Sequence, residues 1–406
     1  MKRLFLFSGL VCAAVLLRGQ EAKPTPELSP SMYLMSLDSG TSLNPMAWTM
    51  PMLMQRKLSW TLMYMGQAFV VDTQQSGPRG ADKLYSTNWG MASAQHSLGP
   101  GNIMFEAMLS LEPATVTNRR YPLLFQTGET AYGNPLVDAQ HPHDFVMGLG
   151  VHYVLPVGEH TLLHFYYAGV GDPALGPVAF PHRASAIELP QATLGHHWED
   201  STHIAANVAT VGVKYRWIRL EASGFHGREP NEARWNLDWG RMDSYSGRIS
   251  LFPTKQWSAQ FSAGRLAKPE PQEPGDVVRT TASIHYTRVR GSGEAWSSSA
   301  IWGRNHNTAS ERDTNAWLLE TVFPATAKDF LTGRFEVADK DEILPGRFQV
   351  KAFTGGYTRD LAIKSNVETG VGANITNYWI PTAVQPAYGQ HPWGVSAYFR
   401  IRLKRS

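Results

Sequence analysis

The chain has 406 residues, 43% of them hydrophobic and only 17% charged, with 13 Trp, 15 Tyr, 36 Gly and 26 Pro. So many aromatics with so little charge exclude a disordered chain. The glycines have no three-residue period, which excludes a collagen, and no apolar run reaches the roughly 18 residues of a transmembrane helix.

The net charge of +3 belongs to the first segment. Lys2 and Arg3 precede a low-polarity run from Leu4 to Leu17 that is too short to cross a bilayer as a helix, so residues 1–20 read as a signal peptide. Removing Lys2, Arg3 and Arg18 takes the 37 basic residues to 34, against 34 acidic, and leaves no electrostatic case for a nucleic-acid partner. Cys12, the one cysteine, goes with the same segment, which excludes disulfide scaffolds, iron–sulfur clusters and a cysteine nucleophile. Residues 21–56, rich in Met and Pro, are expected to form a periplasmic segment ahead of the main domain.

From residue 57 the dominant signal is alternation with period two, which sends successive side chains to opposite faces of a strand. In the first such stretch Leu58, Trp60, Leu62, Tyr64, Ala68 and Val70 share one face, while Ser59, Thr61, Met63, Met65 and Gln67 share the other. A second stretch near 88–96 has faces that composition does not separate. The pattern recurs through 218–225, 245–251, 257–264, 278–286, 296–302, 317–323, 331–337, 363–374 and 395–403. Connections alternate in length: short ones at 98–102, 156–160, 216–217, 253–256, 291–293, 324–328 and 358–360, longer ones at 72–84, 112–144, 171–202, 226–243, 267–276, 305–314, 338–346 and 375–392.

Short turns on one side and long loops on the other predict an all-β fold. Specifically, residues 57–406 are expected to form a transmembrane up-and-down antiparallel β-barrel of about sixteen strands, with fourteen or eighteen as alternatives, periplasmic turns and extracellular loops. Glu106, Arg219, Glu221, Arg248, Glu320, Arg334, Glu336, Lys364, Glu368, Arg400 and Arg402 fall on the inward phase, where a water-filled lumen would solvate them.

In this architecture, residues 57–403 resemble bacterial outer-membrane porin-type barrels. The resemblance implies contact with outer-membrane lipid, small solutes or ions as cargo, and assembly as a homo-oligomer. Such barrels commonly finish on an aromatic, whereas Lys404, Arg405 and Ser406 follow the last strand here. Segments 140–145 and 195–204 are also similar to an uncharacterised bacterial envelope family, which implies no activity.

Candidate chemistry gathers in the long loops, which hold nine of the 14 histidines in or beside them. His141, His143 and Asp144 end one loop; His196, His197, Asp200 and His203 end the next. Imidazole with carboxylate suits a transition metal, copper or zinc. The two loop ends should lie two strand spacings, about 10 Å, apart, so that inward-leaning side chains share an ion. Met46, Met50, Met52, Met54, Met63, Met65, Met104 and Met108 add thioethers, which favour copper but equally fill irregular apolar space.

The ordered stretches 171–177 and 227–232 are expected to bend inward and narrow the bore. The function expected is therefore an outer-membrane channel for small solutes or ions with a His/Asp-lined, copper-binding mouth. A structural or adhesive barrel is one alternative. An outer-membrane hydrolase using Ser201, His203 and Asp200 is another, although strand alternation would put Asp200 on the face opposite Ser201 and His203.

Overall fold

A computed structural model describes residues 29–291, 294–364 and 366–404, with the side chains of 362–364 outside the description. The signal segment 1–20 and the inward charge expected at Lys364 fall outside it. Sixteen antiparallel strands form one closed barrel. They are β1 (Trp60–Gln75), β2 (Asp82–Leu98), β3 (Gly101–Leu109), β4 (Val146–Val157), β5 (Thr161–Gly171), β6 (Ala205–Tyr215), β7 (Ile218–His226) and β8 (Ser244–Thr254), followed by β9 (Trp257–Leu266), β10 (Val277–Val289), β11 (Ala295–Asn307), β12 (Arg312–Pro324), β13 (Asp329–Lys340), β14 (Phe348–Lys364), β15 (Val367–Trp379) and β16 (Trp393–Leu403). Each pairs with its neighbour in sequence, and β16 closes on β1 with Arg402 opposite Gln67 and Gly394 opposite Gln75. Closure leaves no barrel edge unpaired.

The alternation seen in the sequence is the pleat of this wall. Val70, Phe105, Phe165, Val211, Leu220, Ile249, Phe261, Ile284, Leu319, Phe335, Phe353 and Ile401 are exposed and point outward, an apolar belt suited to lipid. At the short-turn rim Trp257, Tyr286, Trp296 and Phe323 stand ring against ring, with centroids 4.7, 5.5 and 5.9 Å apart in succession. Aromatic girdles of this kind sit at membrane interfaces.

One local expectation is corrected. The short turn placed at 358–360 lies inside β14, where a bulge between Asp360 and Ala362 interrupts the register; the chain reverses instead between Lys364 and Val367. The long loop between β3 and β4 carries its own secondary structure: Tyr121–Ala131 and Asn134–Gln140 form a separate hairpin over the mouth.

The lumen is the larger correction. The inward charges face as predicted, Arg219, Glu320, Arg334, Glu368 and Arg400 being at most 3% exposed, but protein rather than water surrounds them. The β5–β6 connection turns inward as expected and then fills the bore: from 172 to 204 every residue but Pro181 is buried. Its contacts run around the wall. Ser223 of β7 and Ser262 of β9 hold the amides of Ala174 and Gly176. Arg183 pairs with Glu320 of β12 at 2.5 Å, Arg334 of β13 donates to the Gln191 carbonyl, and Glu188 receives Arg400 and Arg402 of β16. A buried charge needs either water or a partner, and here the loop supplies the partner.

The segment ahead of β1 occupies the short-turn end of the same lumen. Ser29 caps a single helical turn, Pro30–Leu34. Tyr33 is fully buried, its hydroxyl 3.2 Å from His164 Nδ1 and receiving Arg219 Nη1 at 3.0 Å. Leu34 and Leu37 pack on Met63, Met104, Val154 and Leu162. Farther along, Thr41 receives Arg248, Asn44 bridges the His182 carbonyl and the Ala184 amide, and Met50 sits among Met65, Met91, Met108 and Met147. These methionines fill the irregular space between segment and wall. A strand at Leu53–Lys57 then turns back onto β1.

Candidate functional site at the outer mouth

The long-loop end of the barrel brings the two predicted histidine clusters together, because β4, β5 and β6 are successive neighbours in the wall. The rings form a contiguous chain. His197 to His141 is 5.8 Å between centroids, His141 to His196 6.4 Å, His196 to His203 5.5 Å and His203 to His143 5.3 Å. Phe180 packs edge-on to His196 and His203 and stacks on His143.

Their polar atoms, however, are turned to separate partners, Glu112 and Glu129 outside the cluster and Asp200 within it. His143 Nδ1 is 3.1 Å from Glu112, His196 Nδ1 is 2.7 Å from Asp200, and His203 Nδ1 is 2.7 Å from the Asp200 carbonyl. His141 Nε2 is 3.0 Å from Glu129. Asp144 receives Arg234 at 3.1 Å, and Asp200 also receives Arg183 at 2.9 Å. The seven residues therefore share one region without converging on one point.

Charge follows from these partners. Burial, reinforced by Arg234 and the neighbouring histidines, holds His141 well below the ordinary imidazole range. Burial does the same to His203 and, opposed by Asp200, lowers His196. For His143 burial is outweighed by Glu112, and its pKa rises. The cluster is thus a mixture of neutral rings and ion-paired ones.

The set whose donor atoms do converge, among the described residues, is His197 with Glu229 and Glu270, all within 4.8 Å of one another. Only His197 belonged to the predicted site. Glu229 lies on the β7–β8 loop in a stretch that composition had marked as ordered. Glu270 stands between Pro269 and Pro271 on the β9–β10 loop, and nothing in its sequence neighbourhood distinguishes it. Burial disfavours charge on His197, but Glu229 and Glu270 outweigh it and hold the ring well above its ordinary range. Burial and the proximity of Glu229 push Glu270 up to about 7.

The hydrolytic arrangement does not form. Ser201 and His203 lie on a 3-10 turn rather than a strand; the Ser201 hydroxyl donates to Glu229 at 3.0 Å and receives Arg279 at 2.9 Å, while His203 Nδ1 faces a backbone carbonyl. A serine nucleophile needs a base at its hydroxyl, and His203 is not there.

No protein-family model and no curated protein sequence matches this chain. Solved outer-membrane porins do share its fold. An anion-selective porin from Comamonas acidovorans is 12% identical, with 84% of this chain and 99% of that one covered at a TM-score of 0.54. OmpF of Salmonella typhi, solved in complex with daunomycin, is 8% identical, with 86% and 100% covered and a TM-score of 0.54. OprB of Pseudomonas putida is 8% identical, with 84% and 94% covered and a TM-score of 0.52. What this chain shares with them is the fold, a sixteen-stranded porin-type barrel.

Proposed function

We propose that this protein is an outer-membrane channel for small solutes or ions whose passage is set by the inward β5–β6 loop. The carrying observation is the lumen itself: a wall lined with Arg, Glu, Ser and Thr, and a loop held to it by polar contacts that can exchange for water. Inside the bore, two cavities beside this loop are small, about 20 and 30 Å³, room for a single water each. Conduction then requires the loop to shift. Planar-bilayer recording tests this: wild type should give small, discrete steps, and deletion of residues 173–177 should enlarge them. Impermeable bilayers with both proteins would favour a structural or adhesive barrel.

The finer part of the reading is a mouth that binds transition-metal ions, copper first among those to test, through His141, His143, Asp144, His196, His197, Asp200 and His203. Its support is the contiguous chain of five imidazoles. Calorimetric titration with Cu(II) should show binding that is lost in His143→Ala/His197→Ala. It should persist in His285→Ala, since His285 is buried on the β10 wall and bonded to Ser283 and Ser299. Equal loss in both variants, or none tighter than about millimolar, would leave these rings as structural hydrogen-bond partners.

A further inference from the structure

We infer that His197, Glu229 and Glu270 form a site for one divalent first-row cation such as zinc, clamping three extracellular loops together over the mouth. His197 Nδ1 stands 3.3 Å from Glu229 Oε1 and 3.3 Å from Glu270 Oε1. One N–H cannot donate well to two acceptors, and neither contact has hydrogen-bond geometry: among the described residues both ring nitrogens of His197 and Oε2 of Glu229 lack a hydrogen-bond partner while being buried. Two ligand atoms, each about 2.1 Å from a tetrahedral ion, stand about 3.4 Å apart. The two His197 spacings are those of ligands around a common centre, and the donor atoms of all three residues lie within 4.8 Å of one another.

The surrounding groups are arranged as supports for such ligands. The Ser201 hydroxyl donates to Glu229 Oε1, and Arg279 ties Ser201 and the His197 carbonyl to β10. The Glu129 amide donates to Glu270 Oε2 at 3.1 Å. Gly128, at φ +112°, passes so close that a β-carbon there would lie 2.5 Å from the His197 ring. Three protein ligands leave a fourth position, and the site borders a cavity of about 280 Å³ lined by Glu273, Arg312 and Glu342. An open fourth position reached from outside would take water or a solute donor.

The donor set is one imidazole and two carboxylates, without sulfur, so it suits zinc and its neighbours rather than Cu(I). His197 comes from the β5–β6 loop, Glu229 from β7–β8 and Glu270 from β9–β10, so one ion cross-links three loops. This goes beyond the channel reading, because binding needs only the folded mouth.

The test uses chelator-treated full-length protein in detergent, with zinc alone titrated calorimetrically and cobalt alone followed by its visible absorption. Wild type should bind one equivalent of zinc at micromolar affinity or tighter and give the intense absorption of a tetrahedral cobalt site. The isosteric pair Glu229→Gln/Glu270→Gln should weaken binding at least 100-fold and lose that absorption. His141→Ala/His143→Ala, which leaves the three ligands in place, should retain both. Heat-modifiable gel mobility confirms that each variant is folded; if the double variant is not, Glu270→Gln alone, at the partly exposed ligand, is expected to cost at least tenfold. No stoichiometric binding in wild type, unchanged binding in the Gln variants, or loss confined to His141→Ala/His143→Ala overturns the site. Bilayer conductance measured on the same samples fails or succeeds separately, so a silent barrel that binds zinc removes only the channel reading.

Discussion

Arg400 shows what a buried side chain in this barrel is asked to do. It is fully buried on β16 and pairs with Glu188 of the inward loop, with Asp360 and, at 2.6 Å, with Glu368; Arg402 shares Glu188 and Glu368 with it. Removing one partner from such a network leaves the others charged without compensation, which costs about 3–5 kcal/mol. Arg400→Met should therefore lower the unfolding free energy of the barrel, read from a urea titration, by that much, whereas Arg359→Met, whose partner Asp329 sits at the exposed turn, should change it by less than about 1 kcal/mol. Asp38 supplies the pH dependence. Burial raises its carboxyl to about 7, against hydrogen bonds from Asn44 that favour its charge. The docked segment thus binds a proton that the released segment, with an ordinary carboxylate, does not hold. Docking should be strongest below about pH 4 and weaken as pH rises through about 7. Amide exchange of residues 29–50, corrected for intrinsic rates, should be faster at pH 8 than at pH 6, and Asp38→Asn should abolish the difference.

Strands and loops differ in how much of them the sequence reveals, for a physical reason. A strand with lipid on one side and polar packing on the other must alternate, so β1, β10 and β16 were legible, as was the inward phase of Met63, Met65, Met104 and Met108. The mouth hairpin was not: Tyr121–Ala131 is buried on both faces, and Phe125, Glu129 and Asp138 adopt positive φ that breaks the alternation. Proximity across loops carries no local pattern, which is why Glu229 and Glu270 were missed while His197, in a dense histidine run, was found. Charges on the inward phase read the same whether water or a loop meets them, so the filled lumen was also illegible. The hairpin yields a test of its own packing. Gly128→Ala forces the His197 ring or the hairpin to move and should cost roughly 1–3 kcal/mol. Gly90→Ala, on β2 with nothing near its added methyl, should leave stability unchanged. Equal effects on the urea midpoint would show that the hairpin is not seated on His197.

At the scale of the whole molecule, the barrel holds two inserts, which meet where Asn44 of the N-terminal segment bonds the His182 carbonyl and the Ala184 amide of the β5–β6 loop. The β5–β6 loop is bonded around the wall at and above mid-height. The N-terminal segment is bonded at the short-turn end, through Tyr33 to His164 and Arg219, Thr41 to Arg248, and Ala47 to the Lys255 carbonyl. Wall closure involves neither, since the β16–β1 pairing is made wholly by strand residues. Removing residues 29–50 should therefore leave a closed, heat-modifiable barrel while exposing Arg219, Arg248 and His164 to the periplasmic side. Two series resistances predict the electrical outcome. Deleting 29–50 alone, or 173–177 alone, should raise conductance modestly because the other insert still limits flow, and the double deletion should raise it by more than the two single increments together. Additive increments would mean that ions bypass one insert already. No increment in the double deletion, with the barrel intact by gel mobility, would place the block elsewhere and remove the loop as the element that sets passage.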